Sequence, residues 1–267
     1  MKFETWDLWY KQILDDLGFL KSEDEKTARV LNEILDKEGS IKFESLTDNI
    51  PQKNPICQND NIVMGLNKTI DRDIKNAIVL GAGPSLKKDI AFIKDKCKGN
   101  KEYFKDYVLI VADGATTVAL EKNLLPDIIV TDLDGKIEDL MIANEKGSVF
   151  VLHAHGNNLD EILKYTDKIH KVLGTTQSKP FSNLYNFGGF TDGDRAVFLA
   201  FALGVKKIVL AGMDFGTMTT NYSRPNLESE IAEADEVKKK KLKYAEELVE
   251  WIKENEDLEI INLSHDL

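Results

Sequence analysis

The sequence predicts an α/β protein with a doubly wound, mostly parallel sheet, helices on both faces and a small helical portion at its N-terminus. Two observations support this class. Short apolar runs rich in β-branched residues recur from residue 77 to the end of the chain, and segments long enough for a helix separate most of them. Near-continuous apolar strands that alternate with helices are typical of a parallel sheet covered on both faces.

The N-terminal portion is predicted to be mostly helical. Residues 3–17 place apolar side chains at helical spacing. A second amphipathic helix follows, and Ser22 and Glu25 are spaced as a capping box at its start. We therefore divide the chain into a helical portion, residues 1–70, and an α/β domain, residues 71–267, that is expected to carry the nucleotide and metal sites.

Seven apolar runs are predicted to be strands. They span residues 77–81, 107–113, 127–132, 148–154, 169–175, 206–212 and 258–264. Parallel connections are right-handed, and ligands lie beyond the carboxyl ends of the strands. Gly81, Asp113, Asp132, His153 and Gly212 stand at these ends. Several such residues at one edge of the sheet predict a crevice there.

Two helices are predicted in the later part of the chain. Thr191 and Asp194 are spaced to cap the helix TDGDRAVFLAFALG. The segment 225–256 is rich in Glu and Lys and is predicted to be a long exposed helix, with the lysines of residues 238–241 on its solvated face. The polar segment 216–226 is predicted to be a mobile loop that covers the substrate.

Composition and charge argue against several classes of protein. The formal charge of −11 disfavours a nucleic-acid partner, because phosphate backbones require clustered Lys and Arg. No stretch reaches membrane-spanning length, and the N-terminus lacks the apolar core of a signal peptide. Cys57 and Cys97 have neither zinc-site spacing nor the pattern of a disulfide framework. We therefore expect a cytoplasmic protein without a membrane partner; the sequence leaves open whether it forms a homo-oligomer.

A glycine-rich turn follows the first predicted strand. In VLGAGPSL, Gly81 and Gly83 stand between a strand and a helix, and Pro84 and Ser85 follow them. Glycines there let the backbone approach a phosphate, whose charge is met by amides at the helix N-terminus. The dinucleotide fingerprint requires a small residue where Leu86 stands, which disfavours NAD. A phosphate contact and a purely structural turn both remain open.

Two aspartates, Asp132 and Asp134, follow a buried strand in the stretch TDLDG. In an extended segment, residues two apart point to the same side, so both carboxylates can reach one ion. Mg²⁺ combines one or two carboxylates with waters and substrate phosphates. Together with Asp113 at the neighbouring strand end, the pair predicts a magnesium site. The alternative is an Asx-turn or a helix cap.

Four further residues are candidates for the same site. Asp192 is not needed to cap its helix and can face a metal, and Arg195, one turn further, can meet a phosphate. His155 lacks the third ligand of a zinc site and is a candidate phosphate contact. Asp214 in LAGMDFG either caps a helix or pairs with the N–H groups of a guanidine-like heterocycle. Structural roles remain the alternative for Arg195 and His155.

The motifs in this order resemble a known family. VADGAT, PDIIVTDLDG and GFTDGDRA look like the nucleotide and metal motifs of thiamin pyrophosphokinases, but the later Gly-Gly-Arg-x-Asp-His segment of that family is missing. With WDLWYKQILDDLGF, VLGAGPSL, HAHGNN and LAGMDFG added, the set resembles the archaeal 6-hydroxymethyl-7,8-dihydropterin pyrophosphokinases over nearly the whole chain.

This resemblance implies transfer of a diphosphate from ATP to the hydroxymethyl group of the pterin, with release of AMP and a requirement for Mg²⁺, in methanopterin or folate-type synthesis. The expected metal-binding and catalytic residues are Asp132, Asp134 and Asp192. The expected nucleotide contacts are Gly81, Gly83, Pro84, Ser85, Asp113, Gly114 and Arg195, and the expected pterin contacts are His155 and Asp214. The alternatives are a thiamin pyrophosphokinase, a sugar transferase linked to flagellin glycosylation, and a nucleotide-sensing protein without catalysis.

Overall fold

The structure is a computed structural model that describes residues 1–51, 74–100, 104 and 106–266. The predicted domain boundary at residue 70 lies outside this part of the chain and stays a prediction. The helices are α1 (Phe3–Leu17), α2 (Lys21–Glu38), α3 (Leu46–Asn49), α4 (Leu86–Gly99), α5 (Ala115–Glu121), α6 (Ile137–Glu145), α7 (Leu159–Tyr165), α8 (Asp192–Ala202), α9 (Glu236–Asn255) and α10 (Leu263–Asp266). The strands are β1 (Asn76–Leu80), β2 (Tyr107–Ala112), β3 (Ile128–Thr131), β4 (Val149–Ala154), β5 (Val172–Thr176), β6 (Leu184–Tyr185), β7 (Lys207–Ala211), β8 (Met218–Thr220), β9 (Ile231–Glu233) and β10 (Glu259–Asn262).

An eight-stranded sheet organises the fold, with the strand order β10-β7-β1-β2-β3-β4-β5-β6. Its neighbouring strands are parallel throughout. The chain moves outward from β1 to β6 and then returns to the other side of β1 with β7 and β10. The direction of winding therefore reverses between β1 and β7, which is where such sheets bind ligands. The predicted doubly wound α/β class is confirmed.

Alternate residues of each strand face different layers of helices. In β1, Ala77 and Val79 pack in a cluster with α1, α8 and α9, whereas Ile78 and Leu80 pack with α4 and α5. A third cluster packs α2, α6 and α7 against β3 and β4. The strands are therefore buried on both faces, which explains why they appear in the sequence as continuous apolar runs.

The seven predicted strands and the first helix are confirmed, each to within a few residues of the expected ends. The structure adds β6 at the edge of the sheet and an antiparallel hairpin, β8–β9, in which Thr219 pairs with Ala232. These additions are only two or three residues long. Strands that short carry no periodic pattern, so the sequence did not reveal them.

The start of α2 differs from the prediction, whereas the start of α8 agrees with it. α2 begins at Lys21 without a side-chain cap, so Ser22 lies inside the helix and does not form the predicted capping box with Glu25. At α8 the capping box is present, and the carboxylate of Asp194 accepts a hydrogen bond from the amide of Thr191 at 2.7 Å. This reciprocal bonding satisfies amides that would otherwise lack a partner at the helix start.

α9 is shorter than the helix expected over residues 225–256. It begins at Glu236, because the carboxylate of Asp235 accepts a hydrogen bond from the amide of Lys238 at 2.7 Å and caps the helix. The hairpin β8–β9 precedes it over residues 218–233. Part of the predicted mobile loop is therefore a paired strand, and the mobility itself stays a prediction.

The N-terminal helices pack on the sheet and reach its carboxyl edge. Trp6 is buried, and its indole N–H donates to the carbonyl of Gln177 at 2.7 Å. The hydroxyl of Tyr10 donates to the carboxylate of Asp24 at 2.6 Å, and the same carboxylate accepts a hydrogen bond from the amide of Gly156 at 2.7 Å. These bonds join α1 and α2 to the loops that follow β4 and β5.

Two further expectations from the sequence concerned membrane-spanning helices and disulfide bonds. Within the residues described above, the structure contains no helix that is both long and apolar enough to span a membrane. Cys97, in the last turn of α4, is disulfide-bonded, whereas the sequence was expected to form no disulfide. Spacing along the sequence does not determine which cysteines meet in a fold, and this limited the prediction.

Candidate active site

A cavity of about 350 Å³ lies at the carboxyl edge of the sheet. Residues that follow β1, β2, β3 and β7 line it, so it lies at the switch point given by the strand order. The start of α8, one side of α9 and the turn between α1 and α2 complete the lining. Among the predicted site residues, the cavity is lined by Gly81, Gly83, Asp113, Gly114, Asp132, Asp134, His155, Asp192, Arg195 and Asp214. Pro84 and Ser85 are next to it and do not line it.

Four carboxylates converge in this cavity. Asp113, Asp132, Asp134 and Asp192 each offer an oxygen, and these four atoms all lie within 4.8 Å of one another. They are supplied by the ends of β2 and β3 and by the first turn of α8. Like charges this close repel one another, most strongly where a group such as Asp113 is withdrawn from water. The arrangement therefore calls for a cation or for retained protons.

The turn after β3 brings Asp132 and Asp134 together by a route that differs from the prediction. β3 ends at Thr131, and Leu133 adopts the left-handed backbone conformation, with a φ of 67°. The amide of Asp134 donates to the carboxylate of Asp132 at 3.3 Å, which is an Asx-turn. The carboxylates thus meet across a tight turn and not along one face of an extended segment. Non-glycine residues in this conformation are uncommon and cluster at functional sites.

Asp113 has a carboxylate oxygen without a donor. The side chain is buried, and its Oδ2 accepts a hydrogen bond from the hydroxyl of Thr131. Its Oδ1 is also buried and has no hydrogen-bond partner among the described residues. A side chain at position 135 would collide with this oxygen, so the Asp113 carboxylate can lie directly against the backbone of Gly135. A buried carboxylate oxygen that lacks a donor is well suited to bind a cation.

Asp192 is the first residue of α8 and pairs with Arg195. The Nη1 atom of Arg195 lies 3.3 Å from the Asp192 carboxylate, and Nη2 donates to Oε1 of Gln177 at 3.1 Å. The Nε atom of Arg195 is buried without a partner in the part of the chain that the structure describes. The guanidinium group is thus held between the acidic cluster and the loop after β5, at the lining of the cavity.

His155 lines the cavity and contacts Asp132. Its Nε2 lies 2.9 Å from the Asp132 carboxylate, and its Nδ1 accepts a hydrogen bond from the amide of Asn157 at 3.3 Å. Because Nδ1 is the acceptor, Nε2 carries the proton and donates to Asp132, which fixes the orientation of that carboxylate. His153 is buried in β4, bonds to Thr175 at 3.1 Å and does not line this cavity.

Burial and mutual repulsion shift the pKa values of the four carboxyl groups. Burial, with the charge of Asp132 added, raises the pKa of Asp113 to about 7. Burial with the charges of Asp132 and Asp113 raises the pKa of Asp134 to about 8, and burial with the charge of Asp132 raises the pKa of Asp192 well above its ordinary value. Burial also acts to raise the pKa of Asp132, but the hydrogen bond and charge of His155 help to bring it below its ordinary range. Without a cation, the cluster therefore holds protons near neutral pH.

The glycine turn after β1 packs against the turn after β7. The amide of Gly83 donates to the carbonyl of Gly212 at 2.9 Å. The carboxylate of Asp214 accepts a hydrogen bond from the amide of Ser85, at the start of α4, at 3.2 Å, and a side chain at position 83 would collide with it. A carboxylate thus lies at the helix start where the sequence suggested a phosphate. A phosphate bound there would have to displace Asp214.

Two lysines of α9 that the sequence assigned to a solvated face lie in the cavity instead. Lys238 and Lys241 both line it, and burial lowers the pKa of each below its ordinary value. Lys241 stands three and seven residues before the buried Tyr244 and Leu248. This spacing puts all three on one side of the helix. The apolar periodicity of α9 was the signal that could have placed Lys241 correctly.

The fold and the site together define a class of α/β enzyme. Enzymes of this class act on phosphorylated compounds, which they bind at the switch point of a parallel sheet. Convergent carboxylates beside one arginine and two lysines are the groups that such an enzyme requires. The chain belongs to the family described as 6-hydroxymethylpterin diphosphokinase MptE-like, which matches residues 48–220.

Relatives of this chain carry the name 6-hydroxymethyl-7,8-dihydropterin pyrophosphokinase. The protein from Methanothermobacter thermautotrophicus is 45% identical over 97% of this chain and 99% of its own length. The protein from Methanocaldococcus jannaschii is 41% identical over 98% of this chain and all of its own length. The protein from Pyrococcus furiosus is also 41% identical, over 99% of this chain. The family resemblance predicted from the motifs is confirmed.

A more distant likeness exists to a solved structure. The MAf glycosyltransferase from Magnetospirillum magneticum AMB-1 is 18% identical in sequence, with a TM-score of 0.40. The match covers 75% of this chain and 28% of the glycosyltransferase chain. Similarity at this level supports no inference about the function of the present chain.

Proposed function

We propose that this protein transfers a diphosphate group from ATP to the hydroxymethyl group of 6-hydroxymethyl-7,8-dihydropterin, with release of AMP, and that the reaction requires Mg²⁺. The principal support is the convergence of four carboxylates within 4.8 Å in a cavity that also contains cationic side chains. Membership of the family supports the pterin as acceptor. A nucleoside triphosphate is the donor that the term pyrophosphokinase implies.

The acidic cluster suits Mg²⁺ chemically. This ion prefers oxygen ligands and is usually bound by one or two carboxylates together with substrate phosphates. We assign Asp132, Asp134 and Asp192 as its ligands and as catalytic residues, with Asp113 beside them. The Oδ1 of Asp113, which has no hydrogen-bond partner among the described residues, supports this assignment. When bound, the ion would neutralise charge on the phosphates that are transferred.

The glycine turn and its surroundings are proposed to bind the nucleotide. The residues of this group are Gly81, Gly83, Pro84, Ser85, Asp113, Gly114 and Arg195. Because the carboxylate of Asp214 lies at the start of α4, we assign the phosphates to the side of the cavity that carries Arg195. We propose that Asp214 accepts hydrogen bonds from the amino and ring N–H groups of the pterin, since a carboxylate can accept two parallel bonds from such an edge. His155 remains a proposed contact for the substrate.

The reaction requires little covalent chemistry from the protein. The hydroxymethyl oxygen attacks the β-phosphorus of ATP in line and AMP leaves, so positioning and neutralisation of charge account for most of the rate. Asp132 is held by His155, and Arg195 is held by Asp192 and Gln177. Groups that are fixed before the substrate arrives do not need to reorganise during the reaction, which lowers the barrier.

Phosphorus NMR of ATP mixed with the hydroxymethyl pterin and Mg²⁺ tests the proposed activity. We expect AMP and a pterin diphosphate to accumulate, without ADP. Thiamin in place of the pterin is the matched control and should remain unchanged. Transfer to thiamin, or hydrolysis of a nucleotide sugar without release of AMP, would identify one of the two alternative activities. Binding of Mg-ATP without any transfer would indicate a nucleotide-binding protein that is not an enzyme.

Mg²⁺ is expected to raise the melting temperature of the ligand-free protein, and to do so more at about pH 8.5 than at about pH 6. In the folded protein the pKa values of Asp113 and Asp134 are raised to about 7 and about 8. These two groups therefore bind more protons in the folded than in the unfolded state between about pH 4 and about pH 8, and their contribution to the free energy of unfolding falls as the pH rises through this range. Mg²⁺ opposes that loss once the carboxyl groups are ionised.

Calorimetric melting curves with Mg²⁺ and with a chelator, at both pH values, measure this effect. Asp134→Asn should lose most of the response to Mg²⁺. Asp95→Asn removes an acid from the exposed side of α4 and should retain the response, because Asp95 is 78% exposed and is not a member of the acidic cluster. A response of equal size at both pH values would contradict the assignment of the cluster as the binding site.

We further propose that the product enters methanopterin or folate-type synthesis in the cytoplasm. The net charge of −11 supports the absence of a nucleic-acid partner.

A further inference from the structure

Helix α9 brings two ammonium groups to the cavity. The Nζ atom of Lys238 donates to the hydroxyl of Ser223 at 2.9 Å. The Nζ atom of Lys241 lies 5.6 Å from the ring centroid of Phe19 and 5.7 Å from that of Phe190. All five residues line the cavity. Lys238 thus lies toward the segment after β8, and Lys241 lies toward the turn between α1 and α2.

In the part of the chain that the structure describes, neither of these ammonium groups forms an ion pair with a carboxylate, although the charges of Asp134 and Asp192 act on both. Lys243, on the same helix, is exposed and pairs with Glu247 at 3.7 Å. A partly buried cation that forms no direct ion pair is costly. The two ammonium groups and the four carboxylates thus line the same cavity of about 350 Å³ without direct ion pairs between them in the described part of the chain.

We propose that Lys238 and Lys241 form a cationic wall that binds the phosphates of the nucleotide in the cavity that also contains the acidic cluster. This inference rests on the proposed function, because it takes a nucleoside triphosphate as the ligand. A polyphosphate with a bound divalent cation can interact with the carboxylates and with the ammonium groups at the same time. Its cation meets the carboxylates, and its remaining oxygens accept charge-assisted hydrogen bonds from the ammonium groups.

The spacing of the two lysines favours a chain of phosphates over a single one. Residues three apart on a helix share a face and are separated by about 4.5 Å along the axis. Neighbouring phosphates of one ligand can therefore contact both ammonium groups, whereas the single phosphate of AMP can satisfy only one of them well. Transfer of the diphosphate thus removes the group that both lysines hold, which favours the departure of AMP.

Isothermal titration calorimetry of Lys238→Ala and Lys241→Ala with Mg-ATP, Mg-pyrophosphate and AMP tests the wall. We expect the dissociation constant for Mg-ATP to rise about tenfold to a hundredfold in each variant, because each loses a hydrogen bond between charged groups. The constant for Mg-pyrophosphate should rise similarly, and the constant for AMP should change much less. Lys241→Arg keeps the charge and should restore most of the binding of Mg-ATP.

Lys243→Ala is the matched control, because it removes the same charge from the exposed face of α9. It should bind Mg-ATP as the unsubstituted protein does. If Lys238→Ala and Lys241→Ala lose affinity for Mg-ATP and for AMP equally, or lose no affinity for Mg-ATP, the proposed cationic wall is wrong. Melting curves identify any variant that does not fold, and Lys238→Gln and Lys241→Gln, which keep most of the side chain, then replace the alanine variants.

The measurements distinguish an error in the proposed lysine contacts from an error in the proposed function, because the two errors lead to different results for activity and binding. If the unsubstituted protein forms AMP and the pterin diphosphate while the lysine variants bind Mg-ATP normally, the wall is wrong and the function stands. If the unsubstituted protein shows the expected preference for Mg-ATP over AMP and the variants lose it, but the pterin is never modified, the wall stands and the function is wrong.

Discussion

Asp132→Asn and Asp134→Asn are each expected to lower the turnover number for diphosphate transfer by about a thousandfold or more. Each substitution keeps the size of the side chain and removes one anionic oxygen from a cluster whose four members lie within 4.8 Å. A divalent ion on the phosphates supplies several kcal/mol of stabilisation to the transition state, and a damaged ligand set forfeits much of it. The effect should appear mainly in turnover, since the charge that the ion neutralises grows during transfer.

The fold should survive these changes. Burial and the neighbouring charges raise the pKa of Asp134, so neutralising this side chain relieves repulsion, and the melting temperature of ligand-free Asp134→Asn should not fall. Rates of AMP release and melting curves measure both effects, with Asp95→Asn as the control for loss of an exposed acid. A double variant, Asp132→Asn with Asp134→Asn, that still releases AMP at the normal rate would refute the assigned roles.

Trp6→Ala is expected to lower the free energy of unfolding by about 3–5 kcal/mol. Trp6 is only 1% exposed, its ring stacks on Tyr10 with the centroids 6.1 Å apart, and its N–H donates to the carbonyl of Gln177. Truncation leaves a cavity in the cluster that joins α1 to the sheet. It should also lower activity, because the side chain of Gln177 accepts the hydrogen bond that holds Arg195.

Urea denaturation measures the loss, and Leu8→Ala provides the comparison on the same helix. Leu8 is 69% exposed, so its truncation should change the free energy of unfolding by no more than about 0.5 kcal/mol. Trp6→Phe keeps an aromatic ring without the N–H donor and should give an intermediate loss. Equal costs for Trp6→Ala and Leu8→Ala would mean that the N-terminal helices contribute little to the core.

The sheet could be predicted from the sequence because its strands are buried on both faces. All six residues of β2 are buried, as are all six of β4, so β2 appears as an unbroken apolar run and β4 as a run interrupted only by His153. The carboxyl ends of parallel strands share one edge, which made the approach of Asp113 to Asp132 predictable. The left-handed conformation of Leu133 was not predictable, because a leucine seldom adopts it and the surrounding fold imposes it.

The lysines of α9 were harder to place for a different physical reason. A run of four lysines is on average a solvated surface, and the apolar periodicity of α9 indicates which of them face the fold but not which residues they contact. Lys239 pairs with Glu233 on the outside, whereas Lys241 lies over Phe19, a residue far away in the sequence. Likewise, Asp214 meets the start of α4 only because β7 lies beside β1. Contacts between distant segments leave no local pattern in the sequence.

The placement of β7 beside β1 also sets when the cavity can exist during synthesis. Six strands are made before β7, and β1 has only β2 as a neighbour until β7 arrives. A nascent chain that stops at β6 already carries Asp132 and Asp134, but it lacks Asp214 and the whole of α9. It also exposes the free edge of β1, which other chains can pair with. The emergence of the C-terminal segment from the ribosome therefore both completes the binding cleft and protects the growing chain from aggregation.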